Sequence, residues 1–136
     1  MKNILLILGL FLTLTSTSQT KMTINCDVTK DNKQLKEDDF FIISITDNKG
    51  NRIFRKANTK FIYQLDYNKE YIITFEYEKC QSKSICFNNY TNNYPDLTCF
   101  FNINLKTSNS EDILEVAEVY YDNKQNEFNY KLLNLN

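Results

Sequence analysis

Four cysteines, at positions 26, 80, 86 and 99, are the residues of this 136-residue chain with the most chemical capacity. Four cysteines admit three complete pairings. Cys26 and Cys99 share the phase of their apolar neighbours, whereas Cys86 shares that of Ser84 and opposes Ile85 and Phe87. Along one extended strand, Cys80 and Cys86 would stand roughly 20 Å apart at ~3.3 Å per residue. A disulfide needs a Cα separation of about 4.4–6.8 Å, so that pairing requires the chain to fold back. Cys86 with Cys99 is the candidate disulfide, on condition that their strands are neighbours and a bulge corrects the phase. The alternative is buried free thiols acting as small hydrophobes. The spacing lacks the Cys-x-x-Cys knuckle of a zinc site.

The other polar constellations carry less. Glu37-Asp38-Asp39 and Asp47-Asn48 cluster oxygen ligands. Calcium needs six to eight of them around a shaped loop, and a solvated acidic loop plus a hairpin turn explains both groups. Glu76 and Glu78 stand two apart on one predicted strand face. Paired carboxylates serve glycoside hydrolysis, but here they read as solvent contacts. Tyr90 and Tyr94 in the longest polar loop are the candidate binding surface, with Tyr120-Tyr121 as further aromatics. Packing of these rings onto the end of the domain is the competing expectation. No metal ligand set and no cofactor site is expected.

The chain has no histidine, no tryptophan and two glycines. Without imidazole there is no Ser-His-Asp triad, no Cys-His dyad and no histidine metal ligand. Glycine-rich phosphate loops are ruled out by composition. An enzymatic role is therefore not expected. The 16 basic and 17 acidic residues are dispersed. No cluster of Lys and Arg marks a nucleic-acid groove, and no basic amphipathic helix marks a membrane surface.

The N-terminus places these groups in a compartment. Lys2 is followed by an apolar run over residues 4–14 and by Ser16-Thr17-Ser18. This is the pattern of a cleaved secretory signal peptide over residues 1–18, leaving Gln19 first. The run is short of the ~20 residues that span a bilayer, and nothing later approaches that length. No cysteine follows it closely enough for a lipid anchor. The mature chain, residues 19–136, is expected to be one exported domain without an integral membrane segment, periplasmic or secreted and at most peripheral to an outer membrane.

Period-two alternation dominates that domain. Met22, Ile24, Cys26 and Val28 alternate with polar residues, and residues 40–46 form an apolar, β-branched run. Asp47-Asn48-Lys49-Gly50-Asn51 is the strongest turn signal, with residues 52–56 as the return strand. Further strands are expected over 61–65, 71–77, 81–88 and 99–105, with turns at 31–33 and 67–69. Residues 111–119 fit either a short helix capped by Ser110 or a strand. Val119, Tyr120 and Tyr121 favour the strand, paired with 128–133 in a C-terminal hairpin from about residue 113. Seven to nine short strands predict an all-β, antiparallel β-sandwich of transthyretin-like or Ig-like type.

The order of segments resembles the carboxypeptidase regulatory-like domains, small transthyretin-like β-sandwiches common in envelope proteins of Bacteroidetes. Asp31-Asn32-Lys33-Gln34-Leu35 is similar to their Asn-Gly-Lys-Pro-Leu turn. Asn48-Lys49-Gly50 falls at their hairpin turn. Tyr67-Asn68-Lys69-Glu70-Tyr71-Ile72-Ile73-Thr74-Phe75 is similar to their turn and Tyr-x-Ile-x-Phe strand. The chain departs from the pattern with Cys26 and Cys80-Gln81 in place of Gly and Gly-Tyr, and with Gln34 in place of Pro. The resemblance implies a non-catalytic module with a structural or binding role in the cell envelope, partnered by an envelope protein or glycan. A secreted inhibitor or adhesin-like domain that recognises protein or glycan is the alternative.

Overall fold

The computed structural model describes residues 21–92 and 96–133. The segment read as a signal peptide lies outside them, as does Tyr94. The described chain is all β. In order, its strands are β1 (Met22–Lys30), β2 (Lys33–Gln34), β3 (Phe41–Asp47), β4 (Arg52–Ala57), β5 (Lys60–Leu65), β6 (Glu70–Glu76), β7 (Lys83–Asn88), β8 (Thr98–Leu105), β9 (Leu114–Asp122) and β10 (Glu127–Leu132). Two sheets pack face to face. The smaller one centres on β1, with β8 on one side and β5 and the two-residue β2 on the other. The larger runs β10-β9-β7-β6-β3-β4.

Alternation decides what each face does. Met22, Ile24, Cys26 and Val28 of β1 are buried against Phe41, Ile43 and Ile45 of β3 and Tyr71, Ile73 and Phe75 of β6, in one hydrophobic cluster. Phe101 ties the layers together. Its ring lies 6.3 Å from Phe75, edge to face, and 5.8 Å from Phe87. Such aromatic pairs add ~0.5–1.5 kcal/mol beyond the area they bury.

The turns use the expected chemistry. Asp31 and Asn32 both take positive φ, at 47° and 63°. A two-residue hairpin of the twist-matched kind requires that, and Asp and Asn tolerate it. Gly50 sits at φ 81° between β3 and β4, where a side chain would be strained. Asp47 organises this turn: Oδ1 accepts from the Lys49 and Asn51 backbone N–H groups, and Oδ2 from Asn51 Nδ2, each at 2.9 Å.

Residues 114–122 are a strand, and the helical alternative falls. Ser110 Oγ accepts from the backbone of Asp112 in a local turn instead of capping a helix. β9 pairs with β10 as a hairpin.

The wholly antiparallel expectation needs correction. β1 pairs with β8, and β7 with β9, in parallel. The connection after β7 crosses to the other layer, where β8 docks beside β1. The connection after β8 crosses back and lays β9 along β7. Parallel neighbours need a crossover connection, and here a strand of the opposite layer supplies it in place of a helix. Alternation within segments is silent about such exchanges. A register shift at Ser84/Ile85 carries Val116 as an extra residue in β9.

Candidate functional site

The larger sheet is six strands wide and overhangs the smaller one. On one side the overhang is β4, whose side chains are exposed or half-buried. On the other it is the β9–β10 ribbon, and there the mismatch opens a groove of about 590 Å³. That volume lies within the range of small-ligand sites. Its floor is Ile85, Ala117 and Val119. One wall is β8, and the other is Phe128, Tyr130 and Leu132 of β10. Tyr130 and Leu132 share the inward phase of the buried β9 residues but remain 68% and 51% exposed. The smaller sheet ends before it reaches them.

One end of the groove is polar and basic. Lys83 has the inward phase of Ile85 and Phe87, so its ammonium points between the layers. Nζ donates to the Asn104 carbonyl at 2.6 Å. Burial, and then the nearby Lys106, push the Lys83 pKa below the usual lysine value. Lys106 and Gln81 also line this end, and among the described residues no carboxylate lines the groove. Backbone hydrogen bonds lace the layers together here, from Gln81 N–H to Lys106 O and from Ser108 N–H to Lys79 O, each at 3.0 Å. Cys99 reaches the groove as well, and burial pushes its thiol up, away from the reactive thiolate.

Of the residues singled out in the sequence, Cys99 alone among the described ones lines this groove. Cys86 faces outward on the larger sheet, between Ile72 and Glu118. Cys99 belongs to the smaller sheet and faces inward, packed against the core. The structure does not bring the pair together, and all four cysteines are free thiols. Burial, with Glu70 and Glu118 beside it, pushes Cys86 up to about 11. Cys26 is pushed higher still by full burial.

Tyr90 is exposed at the far end of the sandwich, where its Oη accepts from Asn48 Nδ2 at 3.5 Å. Tyr120 and Tyr121 separate onto opposite faces. Tyr121 is buried against Phe128 at 5.2 Å, so it belongs to the core. Glu76 ends β6, and Glu78 lies beyond the strand in the turn, so the two do not share a strand face. Glu37 and Asp38 are exposed in a loop whose Lys36, Glu37 and Asp39 carbonyls accept from Asn58 Nδ2. No cluster of three or more metal-ligating side chains occurs among the described residues.

Sequence reasoning missed the groove. One local signal was available: Lys83 falls in the phase of Ile85 and Phe87, and a charge on the buried face of a strand is uncommon without a task. The groove itself arises from unequal sheet widths, which no local pattern carries.

Comparison with known proteins gives no match: no family model, no curated protein and no solved structure is similar to this chain.

Proposed function

We propose that this chain is an exported, non-enzymatic β-sandwich module that binds a partner in the cell envelope through the groove between β8 and β10. The observation that carries the reading is the uncovered apolar inner face of β10, with Tyr130 and Leu132 exposed at a phase that is buried elsewhere in the sheet. Exposed apolar surface rimmed by polar groups marks interaction sites. The titratable side chains lining the groove, among the described residues, are two lysines, the phenol of Tyr130 and a cysteine whose thiol is pushed up by burial. That set suits recognition better than acid–base or nucleophilic chemistry. The pattern of residues 1–18 supports export, and the segment order supports a carboxypeptidase regulatory-like, transthyretin-like ancestry.

The test is site-specific photocrosslinking in intact cells. A photoreactive phenylalanine analogue at Tyr130 is expected to give one discrete adduct, whereas the same group at Phe54, on the outer face of β4, gives none. N-terminal sequencing of the mature protein is expected to begin at Gln19. Turnover on a panel of ester, peptide and glycoside substrates would overturn the non-enzymatic reading.

A second reading, a secreted protein- or glycan-recognising domain, draws on a different surface. Ile62 and Phe100 flank Asn25 in one row on the outer face of the smaller sheet, and both are exposed. A crosslink from Phe100 and none from Tyr130 would favour it.

A further inference from the structure

We infer that the groove is the seat of a strand contributed by a partner protein: an extended segment that adds to the free edge of β8, lays alternate apolar side chains on β9–β10 and brings an acidic residue to Lys83 and Lys106. The inference rests on the binding-module reading and specifies its mode.

The backbone of β8 points into the groove. Thr23 N–H bonds Leu97 O and Asp31 N–H bonds Leu105 O, both at 2.9 Å. In a parallel ladder this register turns the odd-numbered residues of β8 toward β1. The even-numbered residues, Thr98, Phe100, Asn102 and Asn104, turn their N–H and C=O groups to the other side. Lys83 satisfies the Asn104 carbonyl. The stretch from Thr98 to Asn102 pairs with no other described strand. An added strand would run ~4.8 Å from β8, over the ribbon the smaller sheet leaves bare.

This edge is also undefended. Proteins protect exposed strand edges with charges, proline or bulges. The other edge strands follow that rule: β4 carries Arg52, Arg55 and Lys56, β5 carries Lys60, β2 carries Lys33, and β10 carries Glu127 and Lys131. β8, reading Thr-Cys-Phe-Phe-Asn-Ile-Asn-Leu, has neither charge nor proline over eight residues. Among the described edge strands β8 alone lacks such protection, which suits it to pairing.

The chemistry separates a strand from other occupants. A lipid tail would cover the apolar floor but bury the β8 amides without partners, at ~1–3 kcal/mol for each orphaned group. A peptide strand satisfies them while its side chains cover Phe128, Tyr130 and Leu132. Two lysines and, among the described residues, no carboxylate at the groove suit an anionic end. A second copy pairing through β8 would bring no acidic residue from that strand to them.

The test is selection from a library of nine-residue peptides, apolar at alternate positions, with Glu or Lys at either end, against the folded protein. Glu-ended peptides are expected to be enriched. N-methylation of alternate backbone amides in the selected peptide should weaken binding at least tenfold. Lys106→Glu, on an exposed side chain, should weaken it about fivefold and favour the Lys-ended version. Amide exchange at Phe100 and Asn102 should slow on binding. An empty selection overturns the strand mode, as does binding indifferent to N-methylation. Palmitate binding that slows neither amide assigns the groove to a lipid, and a dimer with protected β8 amides assigns it to a second copy. If the selection fails while Tyr130 still crosslinks a partner, the strand mode falls and the binding module stands. If both fail, the reading falls with it.

Discussion

Ile72 and Ile73 are adjacent on β6, a strand paired on both sides, yet they face opposite ways. Ile73 is fully buried and Ile72 is 47% exposed. Truncating each to alanine is a matched test of which face makes the core. At Ile73, removal of three carbons forfeits ~2.4 kcal/mol of transfer free energy at ~0.8 kcal/mol per carbon. A residual cavity of ~50 Å³ adds ~1.2 kcal/mol. The expected cost is therefore about 3.5 kcal/mol, a large share of the ~5–15 kcal/mol that holds a domain together. At Ile72, solvent fills the space, roughly half of the transfer term is lost, and the cost is about 1 kcal/mol. Urea unfolding followed by far-ultraviolet circular dichroism reads the difference. With a slope of ~2 kcal/mol per molar, the midpoint should drop by about 1.7 M for Ile73→Ala and about 0.5 M for Ile72→Ala. Equal drops, or a larger one for Ile72→Ala, would refute the assignment of faces and with it the packing of the two sheets.

Three further outcomes are expected. Gly50→Ala should cost ~1–2 kcal/mol from its left-handed backbone alone, because nothing lies within 4 Å of a Cβ there; Gly50→Asn should cost less in the same urea assay. Stability should fall in acid: hydrogen bonds from Thr107 to Asp31 and from Asn51 to Asp47, and the Lys69 ammonium at Asp66, hold these three carboxyls below their ordinary value. Lowered folded pKa values mean stabilisation that is complete above about pH 4 and lost as the pH falls through the folded values, so midpoints measured from pH 7 to pH 2 should drop there, and Asp66→Asn should flatten the drop. Without reductant, the chain unfolded in urea should titrate four thiols with Ellman's reagent, whereas in the folded protein at pH 8 Cys26 should stay silent and Cys86 react slowly, since a thiol at about 11 is ionised to about one part in a thousand; a count of two would restore a disulfide.

The strands were legible wherever one side of the chain is buried and the other wet. Met22, Ile24, Cys26 and Val28 announce β1 because a period of two is the signature of a half-covered pleat. The turns were legible because Asp31-Asn32 and Gly50 are residue types that tolerate left-handed backbone. Pairing was not. That β8 joins β1 in parallel depends on loops that cross between layers, and those loops leave no periodic trace. The candidate site was the least legible part. Tyr90 stands exposed as expected of a loop aromatic, but Tyr121, with the same side chain, is buried against Phe128. Cys86 and Cys99 fall on different sheets and opposite faces, a relation fixed only once the crossovers are known.

The central position of β1 has a kinetic consequence. Strands β3, β4, β6 and β7 join sequence neighbours, apart from the excursion through β5, and can zip as the chain emerges. β1 is made first and must wait for β5 and then for β8, whose residues pair with it across about seventy-five positions. Long-range closure of this kind is slow, on the order of milliseconds to seconds. Until it happens, Met22, Ile24 and Val28 are sticky and unshielded. The nascent polypeptide is thus kept pliable until residue 105 has been delivered, and a fragment truncated before β8 would aggregate where the full-length form folds.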